Sequence, residues 1–76
     1  MKHTIQFHVW RSDRFYVAQA TDVPIVTQGA TLDEVAKNIK EAVELYLEGE
    51  DLESLGFASS PQVLVSFEIA PDAVHA

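Results

Sequence analysis

The 76-residue sequence has no cysteine, which excludes a disulfide framework and a thiolate zinc site and suits a reducing compartment. No apolar run approaches the roughly 20 residues that a membrane-spanning helix needs. The opening, MKHTIQF, lacks the apolar core of a secretion signal. A cytoplasmic protein with no membrane partner is expected. No internal repeat, low-complexity stretch or linker marks a second domain, so residues 1–70 are expected to form one domain and residues 71–76 a frayed tail.

Positive charge is also scarce, and its distribution matters more than its total. Net charge is −7. Lys2, Arg11, Arg14, Lys37 and Lys40 all lie within residues 1–40, where Asp13, Asp22, Asp33 and Glu34 leave a sum of +1. Residues 41–76 contain neither lysine nor arginine and carry Glu41, Glu44, Glu48, Glu50, Asp51, Glu53, Glu68 and Asp72, a sum of −8. Nucleic-acid binding relies on basic side chains replacing the polymer's counterions. This surface repels a phosphate backbone, so no direct nucleic-acid contact is expected.

What is present is enough apolar material for a core, 47% of residues. A chain this short nevertheless buries only about 60% of the surface its unfolded form exposes. Self-association is a common way to hide the remainder, so a homodimer or homotetramer is expected.

The organising stretch is Thr31 to Glu48, TLDEVAKNIKEAVELYLE. Thr31 with Glu34 three residues on has the form of a capping box, in which the hydroxyl accepts from a free helical N–H. Leu32, Val35, Ala36, Ile39, Ala42, Val43, Tyr46 and Leu47 recur at the spacing that lines one face of a helix. Gly49 follows as the left-handed stop.

Before this helix, residues 3–10 alternate as a strand, with Ile5, Phe7 and Val9 on one face and Thr4, Gln6, His8 and Trp10 on the other. Residues 11–14 have hairpin-loop composition, and Phe15 to Ala20 returns as a second strand. Pro24 breaks the pattern, and Ile25 to Thr27 allows a short third strand. After the helix, Glu50 to Leu55 reads as one further helical turn closed by Gly56, and Gln62 to Ala70 as a half-buried strand with Val63, Val65, Phe67 and Ile69 on one side. The expected fold is α+β: an antiparallel sheet of three to four strands with one long helix across one face. Few elements remain to cover the other face.

Residues suited to chemistry are sparse. His3 and His8 point to opposite faces of their strand and cannot jointly hold a metal, and His75 lies in the tail. The serines lack the context of a nucleophile elbow, and Gly29 stands outside any phosphate-cradling pattern. Two-metal nuclease chemistry needs carboxylates grouped around cations about 4 Å apart, yet the strands supply only Glu68. Trp10, Phe15 and Tyr16 lack the basic groove that accompanies base stacking. No catalytic residue, metal site or cofactor is expected.

The acidic group is more informative. Glu44 and Glu48 are like charges at i and i+4, and negative charge in the last turn opposes the helix dipole. Local helix stability therefore does not account for Glu44, Glu48, Glu50, Asp51 and Glu53. A solvated face that keeps the protein soluble is one reading; a docking surface for a basic protein is the other.

One further pattern bears on that choice: Tyr16-Val17-Ala18, then Asp22-Val23-Pro24, then Thr27-Gln28-Gly29-Ala30-Thr31-Leu32-Asp33-Glu34, then Asn38, Glu41 and Ala42. This run resembles the HicB antitoxin family, over roughly Tyr16 to Gly56. Ile25 after Pro24, where the family often has Pro-Gly, and Val35, where alanine is common, depart from the pattern. The resemblance implies a partial RNase H-like fold without nuclease chemistry. It also implies a partner, a small basic HicA-like toxin that cleaves mRNA and whose active surface the antitoxin masks. Members often add a C-terminal DNA-binding segment, which is not expected here, so operator binding does not carry over. The alternatives are a metal-dependent RNase H-like nuclease and a stand-alone oligomeric domain with a non-toxin partner.

Overall fold

The computed structural model describes residues 2–52 and 54–68. Five elements follow one another: β1 (Lys2–Ser12), β2 (Phe15–Ala20), β3 (Val26–Gly29), α1 (Leu32–Leu47) and β4 (Phe57–Phe67). They form a mixed four-stranded sheet of order β3-β2-β1-β4 with α1 packed on one face. The α+β class is as expected. The sheet is not wholly antiparallel, however, because β4 runs parallel to β1.

The connections explain the mixture. β1 and β2 pair antiparallel down to Ser12 opposite Phe15, leaving a two-residue loop in which Asp13 takes φ 55°. Asp tolerates this left-handed conformation better than most residues. β3 pairs antiparallel with β2 and so runs in the direction of β1. A long crossover is the usual means of joining parallel strands, and α1 carries the chain from the β3 edge across β2 and β1 to the opposite edge. β4 therefore arrives parallel.

Helix α1 begins and ends where its signals lie. Thr31 is extended, with φ −131° and ψ 164°, and its Oγ1 accepts from the Glu34 N–H at 3.1 Å. At the far end the Glu48 N–H donates to the carbonyls of Glu44 and Leu45, and Gly49 takes φ 72°. The apolar stripe puts Val35, Ile39 and Val43 against the sheet, where they meet Ile5, Phe7 and Val9 of β1 and Ala18 and Ala20 of β2. Phe7 is completely buried. The Asn38 side-chain amide donates to the Gln28 carbonyl at 2.7 Å, tying the helix to the edge strand β3.

Gly29 sets how closely the two elements approach. A Cβ at this position would lie 2.8 Å from the backbone nitrogen of Val35 and 3.0 Å from its Cγ2. The end of β3 and the first turn of α1 are in contact through a space that no side chain fits.

The last strand starts earlier than its alternation suggests, at Phe57 rather than Gln62. The preceding residues make a single helical turn: the Leu55 N–H donates to the Asp51 carbonyl at 3.1 Å. Gly56 at φ 84° then redirects the chain, and the Phe57 N–H donates to the Leu52 carbonyl at 2.8 Å. Lys2 pairs with Phe57 and Thr4 with Gln62, so a bulge holding Pro61 interrupts the register. Proline is tolerated there because β4 is an edge strand. Phe57 is buried in the core, a role that periodicity does not assign to it. The expected continuation of the strand through Ile69 and Ala70, and the tail at 71–76, lie outside the described residues.

Two substitutions test this packing by urea denaturation followed by circular dichroism. Gly29→Ala should lower the unfolding free energy by about 1–3 kcal/mol, as overpacking does. Thr31→Ala should lower it by about 1 kcal/mol through loss of the cap. Unchanged stability in Gly29→Ala would mean that the contact relaxes without cost.

Candidate functional site

The acidic residues singled out from the sequence fall on the second half of α1 and the turn after it. Glu44, Glu48, Glu50 and Asp51 are all exposed, as is Glu41. Glu53 lies outside the described residues. The turn is held in shape: Ser54 Oγ donates to Asp51 Oδ2 at 3.0 Å, and Leu52 and Leu55 pack against the core. Its charges are thus carried on an ordered framework. The first turn of α1 holds Asp33 and Glu34, which suit the positive end of the helix dipole, whereas no basic residue occupies the last turn.

Beside these acids lies a feature the sequence does not announce. α1 sits over β2 and β3 and leaves Val63 and Phe67 on the helix-side face of β4 exposed, while Phe57 is buried and Val65 packs against the core. The reason is geometric. Three inter-strand spacings make a four-stranded sheet about 14 Å wide between outer strand axes, and a helix is only about 10 Å in diameter. One helix, packed from the β3 edge, leaves the far edge strand only partly covered.

The partly covered strip along β4 is apolar. At the C-terminal end of α1 it deepens into a hollow of about 420 Å³, walled by Ile39, Val43 and Leu47 from the helix and by Val63 and Val65 from β4. Leu52 and Pro61 also line it, and Lys40 and Glu44 form its polar border. A second hollow of about 460 Å³ lies at the other end of α1, where Leu32 and Phe67 face each other near Tyr16. Val63 is 38% exposed and Phe67 49%, high for residues on the inner side of a sheet.

The opposite sheet face is also open. Register places Phe15 and Val17 of β2, Trp10 of β1, Val26 of β3 and Leu64 of β4 there. Val26 is 62% exposed and Leu64 57%. Across this face His8 Nε2 meets Glu68 Oε2 at 2.9 Å, its ring stacks on Trp10 with centroids 5.8 Å apart, and its Nδ1 lies 3.5 Å from Ser66 Oγ. The order of groups, carboxylate, imidazole and hydroxyl, is that of a nucleophilic triad. The surroundings are not: the His8–Glu68 contact sits on a solvent-facing strand surface, and the Ser66 hydroxyl donates to the Phe7 carbonyl at 3.3 Å. A hydroxyl committed to a backbone carbonyl is not poised for attack.

Among the described residues, no three His, Asp or Glu side chains come together in a way that could hold a metal ion. Among the described residues no helix is long and apolar enough to cross a membrane either. Comparison with protein families, curated proteins and solved structures gives no match.

The charge pattern of α1 makes a measurable statement. Glu48→Lys removes a like-charge i, i+4 pair, a few tenths of a kcal/mol, and puts a cation near the negative helix end, about 0.3–1 kcal/mol. Thermal unfolding at low salt should therefore rise by several degrees, since about 1 kcal/mol moves a domain of this size by about 4–8 °C. A fall would show that the carboxylate stabilises its surroundings.

Proposed function

We propose that this protein is a HicB-like antitoxin module that neutralises a small basic HicA-type mRNA-cleaving toxin by covering its active surface. The observation that carries the reading is the exposed acidic strip of Glu44, Glu48, Glu50 and Asp51 at the end of α1, set where helix energetics do not favour it. The resemblance spanning Tyr16 to Gly56 supplies the identity of the partner, and the implied partial RNase H-like arrangement belongs to the same proposal. Opposed charge speeds and orients encounter with a basic protein. A protein that works by covering another needs no catalytic residue or cofactor of its own.

Self-association into a homodimer or homotetramer completes the proposal. Its natural surface is the sheet face remote from α1, where Phe15, Val26 and Leu64 are exposed. The cytoplasm, where the toxin's mRNA substrate lies, is the proposed compartment.

The test is whether a small basic protein is encoded beside this one. It should copurify with the chain and lose RNA-cleaving activity in the complex. Replacing Glu44, Glu48 and Asp51 together by lysine should slow association about tenfold or more at low salt, given the range over which electrostatic steering acts, and should leave the circular dichroism spectrum unchanged. Association at the parental rate would remove these residues from the interface. Cleavage of labelled RNA by this chain alone in magnesium or manganese would replace the proposal with a nuclease.

A further inference from the structure

We infer that the free edge of β4 pairs with the same edge of a second copy of this chain, joining the two sheets antiparallel about a two-fold axis at Val65. The inference stands apart from the antitoxin reading, and it concerns an edge of the sheet and not the face remote from α1.

The two edges are finished differently. The Ala20 N–H donates to the Ile25 carbonyl at 2.9 Å, so alternation along β3 turns the backbone groups of Val26 and Gln28 outward. This edge is only four residues long, and the Asn38 amide already occupies the Gln28 carbonyl. At the other edge the Glu68 N–H donates to the Val9 carbonyl at 2.8 Å. The same alternation turns the backbone N–H and carbonyl of Val63, Val65 and Phe67 to the open side of β4. Among the described residues no strand lies beyond it.

Sheets usually blunt an open edge with a lysine, a proline, a bulge or a covering element. Pro61 and the bulge do so for the first part of β4. The run Gln62 to Phe67, QVLVSF, contains no charge and no proline. It is a template for one more strand.

The run is complementary to itself. About an axis at Val65, Val63 falls opposite Phe67 of the second copy, Val65 opposite Val65, and Phe67 opposite Val63. These are the three residues whose backbone groups are open, and exchanging N–H and carbonyl in each pair gives about six hydrogen bonds. On the helix side every opposed pair is apolar, and an aromatic ring against a β-branched side chain is a favourable cross-strand pair. The pairing covers the side chains that α1 leaves bare, Val63 at 38% and Phe67 at 49% exposed. On the other side Leu64 meets Ser66, and Gln62 meets Glu68, whose carboxylate can accept from the amide.

Neighbouring registers fit less well. An axis at Leu64 brings Pro61, which has no N–H, opposite Phe67. An axis at Ser66 sets Leu64 against Glu68. The net charge of −7 is no obstacle at this edge. Lys40 and Glu44 line the hollow floored by Val63 and Val65, and Arg11 and Glu68 line the one beside Phe67. The two-fold sets the first hollow of one copy beside the second hollow of the other, and those four charges sum to zero. Each open edge is used once, so the pair closes as a dimer and does not grow into a fibre.

The chain has no cysteine, so introduced thiols report the register directly. Leu64→Cys and Ser66→Cys are made separately. In the inferred pair these positions face each other with Cα atoms about 4.5 Å apart, within disulfide reach. Each lies about 7–8 Å from its own counterpart, beyond that reach. In a glutathione redox buffer an equal mixture should form the mixed disulfide about tenfold faster than either variant alone forms its own.

Sedimentation of the full chain supplies the second measurement. A strand pair of this size belongs to the weak class of interfaces, burying less than about 1,200 Å² in total, so concentrations up to about 1 mM are covered. The parent should self-associate reversibly. Val63→Lys, at an exposed position, should weaken this association about tenfold or more by setting an ammonium against Phe67 of the second copy. Val26→Lys, on the face remote from α1, should leave at least a dimer. Circular dichroism and matched thermal melts establish that all variants are folded. A parent tetramer that Val63→Lys reduces to dimers supports the inference equally. A parent that stays monomeric throughout would overturn it, as would a dimer dissociated by Val26→Lys and untouched by Val63→Lys. Equal rates of disulfide formation in the mixture and in the separate variants would overturn it too.

Discussion

The position of α1 is fixed by the close approach of Gly29 to Val35, and most of what is distinctive in this molecule follows from it. Only two residues separate the end of β3 from the start of α1. The helix must therefore leave the sheet at its β3 edge, and the missing Cβ lets its first turn sit directly on the strand. The Asn38 amide fastens the next turn to the same strand. With the helix held over β2 and β3, its stripe of Val35, Ile39 and Val43 closes the core against β1 and β2, and at β4 Val63 and Phe67 are left exposed while Phe57 is buried.

The same constraint separates what could be read in the chain from what could not. The helix was legible because its signals are local: a hydroxyl at Thr31, a period of 3.6 and a glycine at position 49. The inner row Ile5, Phe7 and Val9 was legible because a strand period of two needs no knowledge of its neighbours. The direction of β4 was not, since parallel pairing with β1 depends on where the crossover lands. Its early start at Phe57 was hidden behind Pro61, which reads as a breaker until the strand is known to lie at an edge. The acids of the candidate site were visible as a run of charge. The apolar strip beside them was not, because it is made by the offset of one element from another and belongs to no single stretch.

The two ends of α1 embody different compromises. At the N-terminus, cap and acidic residues agree with the dipole; at the C-terminus, Glu44 and Glu48 work against it and against each other. A small domain has little stability to give away. Charges set against local preference are not explained by the helix's own stability, and here they lie beside a partly covered apolar strip.

Pro61 and the bulge around it have a consequence for the solution behaviour of the protein. An edge strand of eleven residues exposes a row of unpaired amides and carbonyls that would ordinarily recruit foreign strands and seed fibrous aggregates. A missing N–H and a broken register between Phe57 and Gln62 spoil the first half of that template. What remains regular is the short run from Gln62 to Phe67, flanked by Glu68, too brief and too charged at its end to propagate a stack. Colloidal safety is thereby built into the same strand that leaves Val63 and Phe67 exposed on its inner side.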